Sequence, residues 1–170
     1  MIEKFTFQIH SPKIEKKLIL VKTDTELRSH VVMKLLSYVL FYDPRLQIDM
    51  DVGMHYRPDL VVMGNNGVPE LWIDCGHIAK KKTESLAKKF RKTRFVVVKA
   101  KSHEMKEFKR MVADKIEFGE RLEYLSFDED FIAGIAAAIG RLNDFTLYEV
   151  AENIIGVALH DQIFESSIQR

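Results

Sequence analysis

The chain of 170 residues contains one cysteine, Cys75, and four prolines. A single cysteine excludes an internal disulfide framework, and no Pro/Gly/Ser-rich linker, low-complexity run or fixed-period repeat divides the chain. No apolar run approaches the roughly 18 residues that cross a bilayer, so no membrane partner is expected. Met1-Ile2-Glu3-Lys4-Phe5 lacks the basic start and unbroken apolar stretch of a secretory signal, and a cytoplasmic location is the expectation. The formal net charge is only +1, which argues against indiscriminate binding to polyanions. With 46% hydrophobic residues, the length suits one domain spanning residues 1–170 with a proper core.

The small net charge conceals a segregation. Residues 79–115 carry 14 Lys and Arg against 4 Asp and Glu, while the rest of the chain carries 12 against 21. A basic third of this kind either steers a polyanion or forms ordinary solvated helix faces.

The most informative stretch begins at Arg57-Pro58-Asp59-Leu60-Val61-Val62, breaks at Gly64-Asn65-Asn66-Gly67 and resumes at Glu70-Leu71-Trp72-Ile73-Asp74-Cys75-Gly76. Two apolar runs around an Asn/Gly break predict a β-hairpin. A two-residue turn centred on Asn65-Asn66 sets Asp59 opposite Trp72 and diagonal to Asp74. Centring on Asn66-Gly67 sets Asp59 directly opposite Asp74. Either register leaves both carboxylates on one face, roughly 4.5–8 Å apart at Cβ, where a cation between them would relieve their repulsion. A three-residue loop changes the parity unless a β-bulge restores it.

Residues 2–10 alternate as a strand, and residues 16–22 form a second short apolar run after Pro12, two strands that can open the fold as a hairpin. Thr23-Asp24-Thr25-Glu26 is expected to open a helix reaching about Phe41, with Leu27, Val31, Val32, Leu35, Leu36, Val39 and Leu40 packed. Glu26, His30, Lys34 and Ser37 form its polar strip. A helix is expected over residues 79–91, then a buried strand over 94–100 whose unbroken Phe95-Val96-Val97-Val98 favours parallel pairing under covering helices. A further amphipathic helix follows through Met105, Phe108, Met111 and Val112. Residues 122–127 read as a short strand, 128–141 as an apolar helix opened by Asp128, and 145–150 with 154–168 as a β-rich tail turning at Glu152-Asn153. The expected class is α/β (α+β), a mixed sheet flanked by helices with extra N- and C-terminal strands.

A helix with an acidic residue in its first turn, then a hairpin bearing Pro58-Asp59 and Ile73-Asp74, then helix and strand, is similar to the core of the PD-(D/E)XK nuclease superfamily, with its restriction-endonuclease-like fold. More closely, the chain resembles the YaeQ family. Thr25-Glu26, Lys34-Leu35-Leu36, Tyr42-Asp43 and Arg45-Leu46-Gln47 match its first-helix pattern, and residues 70–76 resemble its Asp-Leu-Trp-Ile-Glu-x-Gly segment. The resemblance implies a Mg²⁺- or Mn²⁺-dependent phosphodiesterase acting on DNA or RNA. Asp59, Asp74 and the carbonyl of Cys75 would hold the metal, and Glu26 would serve a second metal or orient water. The pattern also asks for a lysine two residues after Asp74 to stabilise the transition state. Gly76 stands there, as is typical of the YaeQ family, so Lys80 or Lys82 from the following helix is expected to supply the ammonium, with Lys99 a weaker substitute. The alternative is a nucleic-acid-binding module that lost turnover with that lysine, and a third reading is an interaction protein whose carboxylate pair is incidental.

The same residues have plainer roles. Thr23-x-x-Glu26 is a capping box, Trp72 reads as core, and His30, His55 and His77 lack the spacing of a zinc motif. Cys75, without a companion cysteine or paired base, reads as a buried small residue.

Overall fold

A computed structural model describes residues 1–170. The order is β1 (Glu3–His10), β2 (Glu15–Lys22), α1 (Arg28–Leu40), β3 (Gln47–Ile48), β4 (Leu60–Met63), β5 (Pro69–Cys75), α2 (Lys80–Lys89), β6 (Arg94–Val98), α3 (Ser102–Val112), β7 (Glu123–Leu125), α4 (Phe131–Ala138), β8 (Leu142–Ala151), β9 (Ile154–Leu159) and β10 (Gln162–Ser167). These make an α+β fold of two mixed five-stranded sheets, β10-β9-β8-β1-β2 and β3-β4-β5-β6-β7. No helix is long and apolar enough to cross a membrane.

The first sheet joins the two ends of the chain. β1 and β2 form the expected hairpin, paired from Glu3 opposite Lys22 to His10 opposite Glu15. β8 then lies parallel to β1, from Thr6 opposite Leu142 to His10 opposite Thr146. The β-rich tail divides once more than its turn residues announced. His160 adopts a left-handed φ of 53°, and the chain reverses there between β9 and β10.

The second sheet carries the hairpin with the two aspartates. Leu60 pairs with Ile73, Val61 with Trp72 and Val62 with Leu71, but Met63 pairs with Pro69. The turn is a three-residue loop: the Gly64 N–H donates to the Val68 carbonyl at 2.8 Å, and Gly67 takes a φ of 75° that glycine adopts at little cost. Such a loop alone would send Asp59 and Asp74 to opposite faces. The irregularity between Val62 and Met63, with Glu70 as the extra residue, restores the parity, and just beyond the last pair, Leu60 with Ile73, the Asp59 N–H meets the Asp74 carboxylate.

α1 packs against β2 on one side and against β4 and β5 on the other. Its buried residues, including Val31, Val32, Leu35, Leu36 and Val39, join both sheets and α4 in one core. The opposite face of the second sheet is covered by α2 and α3, where Trp72, Phe95 and Val97 pack against Leu86, Phe108 and Val112. β6 runs parallel to β5 and β7, as its uninterrupted apolar run predicted.

Two helix starts differ from expectation. α1 begins at Arg28, because Thr23-Asp24-Thr25-Glu26 closes its own turn through the Glu26 N–H and the Thr23 carbonyl at 3.2 Å. Glu26 therefore precedes the helix instead of occupying its first turn. Likewise α4 begins at Phe131, since Asp128 is committed to the chain terminus: its carboxylate accepts the Ser167 N–H at 2.9 Å.

Leu35 is fully buried and Leu142 is 74% exposed. Leu35→Ala is expected to cost about 2–5 kcal/mol in urea unfolding, whereas Leu142→Ala should stay within about 0.5 kcal/mol of the parent.

Candidate functional site

Asp59 and Asp74 meet at the open end of the β4–β5 hairpin, where each carboxylate is held by the other residue's strand. The Cys75 N–H donates to Asp59 Oδ2 at 2.7 Å, and the Asp59 N–H donates to Asp74 Oδ1 at 3.4 Å. From this clasp the two side chains turn toward different cations. Asp59 Oδ2 lies 3.2 Å from His30 Nε2, and Asp59 Oδ1 lies 3.9 Å from Lys34 Nζ, both on α1. Asp74 Oδ2 lies 3.0 Å from Lys82 Nζ on α2.

Glu26, His30 and Lys34 recur every four residues and stack as a column beside Asp59. Glu26 Oε1 pairs with His30 Nδ1 at 3.0 Å and with Lys34 Nζ at 2.9 Å. Its other oxygen accepts the Thr23 N–H at 2.8 Å, which is the glutamate half of a capping box formed one turn ahead of the helix. Lys34 is only 2% exposed and also donates to both oxygens of Asp49, at 2.8 and 3.0 Å. Asp49 reaches it from just past β3 with a left-handed φ of 52°, and its N–H donates to the Asp59 carbonyl at 2.9 Å. Aspartate is among the few non-glycine residues that tolerate this conformation.

Lys82 is fixed by a second hydrogen bond to the Arg57 carbonyl at 3.2 Å and lies over the Tyr56 ring. Lys80, one position inside α2, is exposed and pairs with no carboxylate. Gly76 has a φ of 80°, a conformation in which a lysine would be strained. The ammonium reaching Asp74 thus comes from a helix four residues farther along. Lys99 contacts this region differently, donating to the Gly76 carbonyl without touching either aspartate. Cys75 is buried, its Sγ 3.7 Å from Ser37 Oγ. Trp72 is core, packed between Phe90 and Phe95, and His55 and His77 stand outside the network.

The electrostatics follow from burial opposed by pairing. Burial pushes the Glu26 carboxyl up, but the Thr23 N–H and the Lys34 and His30 charges outweigh it and bring the pKa down to about 2. Burial likewise pulls His30 down, yet its contact with Asp59 wins and raises it above the usual imidazole range. Lys34 is raised because the Asp49 and Glu26 hydrogen bonds exceed its desolvation. Asp74 behaves oppositely: desolvation, reinforced by Asp59, raises it despite Lys82. Burial also pushes the Cys75 thiol well up, which leaves it a poor nucleophile.

Four carboxylates, Glu26, Asp49, Asp59 and Asp74, thus share two lysines and one histidine. No three His, Cys, Asp or Glu side chains converge as a ready-made metal cage. The donor set nevertheless fits a hard cation in kind. It is oxygen-based, it has negative charge to spare, and two carboxylates plus water suit Mg²⁺. Sequence reasoning had noticed the polar strip of α1 without anticipating Lys34 as its centre, and it missed Asp49 altogether. The four-residue spacing of Glu26, His30 and Lys34 was the readable signal; Asp49 offered none.

Two mixed sheets sharing a core helix, with an acid–base cluster at the open end of one hairpin, define an α+β protein with a buried polar site. The family model for YaeQ protein matches residues 14–166, and the chain belongs to the YaeQ family. Among solved structures it is similar to the YaeQ protein from Xanthomonas axonopodis pv. citri, with 19% identity, a TM-score of 0.80 and coverage of 99% of this chain and 96% of that one. It is also similar to the YaeQ protein from Pseudomonas syringae, with 16% identity, a TM-score of 0.76 and coverage of 99% and 93%. At these identities the likeness is one of fold. No curated protein matches the chain.

Lys34→Met would strand Glu26 and Asp49 without their shared cation. Urea unfolding at neutral pH is expected to show a loss of about 3–5 kcal/mol, shrinking in acid as the carboxylates protonate. Glu26 titrates near 2 in the folded state against an ordinary value of 4.5. Its stabilisation is therefore complete above the unfolded value and is lost as pH falls from about 4.5 toward 2. Thermal unfolding between pH 6 and 2.5 should show a shallower acid decline in Glu26→Gln than in the parent.

Proposed function

We propose that the protein is a Mg²⁺-dependent phosphodiesterase of the PD-(D/E)XK type acting on DNA or RNA. The observation that carries this reading is the 3.0 Å contact between Lys82 Nζ and Asp74 Oδ2. The chain cannot place a relaxed lysine at position 76, and α2 delivers one to the same carboxylate from the opposite direction. Asp59, Asp74 and the Cys75 carbonyl are the ligands the reading assigns to Mg²⁺, which would lower the pKa of an attacking water and neutralise charge on the phosphate. Lys82 supplies positive charge beside the reacting phosphate, fixed in place by the Arg57 carbonyl. Glu26 assists by holding His30 and Lys34 against Asp59. The negative excess at the site would by itself repel a phosphodiester, and a divalent cation reverses that sign. The basic surface of residues 79–115 suits a polyanion approaching from the α2 side.

A second reading is supported by the pairing of every site carboxylate with a cation of the protein itself. On that reading the fold binds nucleic acid without cleaving it.

Mg²⁺ and Mn²⁺ titration, followed by incubation with linear, circular and single-stranded DNA and with RNA, separates the two. The enzyme reading expects a divalent site and cleavage that both disappear in Asp74→Asn. Lys82→Gln should lower turnover about 10²-fold or more, the scale of losing one transition-state donor, and Lys80→Gln should leave it unchanged. Salt-sensitive binding without cleavage would leave the binding module standing. Absence of both metal binding and cleavage would falsify the enzyme reading.

A further inference from the structure

Beside the acid–base cluster, a cavity of ≈ 550 Å³ opens at the carboxyl ends of the parallel strands β5 and β6. This is the end of a parallel sheet where ligands characteristically settle. Its walls come from the start of α1, the segment after β5, α3 and α4, and they are largely apolar: Met33, Ile78, Phe108, Met111 and Ile132. A volume of this order accepts a small organic molecule.

One cation stands in the wall. Lys99 is 7% exposed, and its Nζ is bracketed by two other wall residues, donating to the Gly76 carbonyl and lying 4.6 Å above the Phe108 ring. No carboxylate lies within ion-pair distance of it. The contrast with Lys34 is sharp, because that ammonium, also buried, has Glu26 and Asp49 as direct partners. A buried ammonium in contact with only a carbonyl and a ring face leaves donors unfilled, and Glu104 offsets its desolvation only from beyond ion-pair distance; that is a costly state, and an incoming anion relieves it. The rim limits how much negative charge enters. Glu104 and Glu107 line the cavity, and the other lysine there, Lys101, is already paired with Glu129 at 2.9 Å.

We propose that this cavity is a binding site for a small monocarboxylate with an apolar body, whose carboxylate pairs with Lys99 while its body lies on Phe108, Met111 and Ile132. The site is independent of Asp59 and Asp74, so it neither requires nor supports phosphodiester cleavage.

Calorimetric titration with octanoate tests the assignment, with octan-1-ol, inorganic phosphate and AMP as comparison probes. Octanoate is expected to bind one to one with a Kd below about 1 mM, and each comparison probe about tenfold more weakly or worse. Lys99→Met, checked for folding by circular dichroism, should weaken octanoate about ten- to a hundredfold while leaving octan-1-ol unchanged, as expected for a charge-assisted hydrogen bond. Ala133→Phe, an exposed substitution on α4 that fills the mouth without touching Lys99, should block octanoate as well. Asp74→Asn should bind it like the parent. The proposal is overturned by octan-1-ol or AMP matching octanoate, by full octanoate affinity in either Lys99→Met or Ala133→Phe, or by no octanoate binding at all.

Discussion

An ammonium group withdrawn from water is costly unless opposite charge offsets its lost hydration, and Lys34 meets that condition through residues from three separate places. Glu26 arrives from the turn before α1, Asp49 from beyond β3, and Asp59 stands at the head of β4. The lysine thereby ties the central helix to the edge of the second sheet. His30 extends the tie by standing between Glu26 and Asp59. Removing the lysine would leave acidic groups crowded in a poorly solvated space, which is why the polar column and the sheet edge stand or fall together.

The aspartate pair depends on a second constraint, one of parity. Side chains alternate along a strand, so a single extra residue in the turn exchanges the two faces. The chain takes a three-residue loop, with Gly67 in the left-handed conformation, and cancels its effect with the bulge at Glu70. The reciprocal bonds from the Cys75 and Asp59 amides then lock the two carboxylates together at the strand ends. Their contrasting surroundings divide their behaviour. Asp59 faces the cationic column of α1, whereas Asp74 is buried on the α2 side, where desolvation lifts its pKa and Lys82 opposes the lift.

Much of this was legible in the residues themselves. The apolar periods announced both hairpins and the buried parallel strand, and the alternation around Asn65-Asn66-Gly67 brought Asp59 to Asp74 with the bulge foreseen as a condition. The spacing of α2 marked Lys82, together with Lys80, as flanking the buried face. Choosing between them required the path of the helix: Lys82 points to Asp74 and the Arg57 carbonyl, while Lys80 faces solvent. The helix starts were misjudged for a common reason. Thr23 and Asp128 both have capping chemistry, but Thr23 closes a turn with Glu26 and Asp128 is drawn to Ser167 at the other end of the chain.

Local pattern determined the classes of element and the two apolar faces of the second sheet, because each follows from side-chain period over a few residues. Tertiary structure alone decided that β8 lies beside β1, that Asp49 from just past a two-residue strand neutralises Lys34, and that Lys99 is buried without a paired carboxylate while Lys34 is buried with two. These depend on groups far apart in the chain reaching the same few ångströms, and no periodicity records such an encounter.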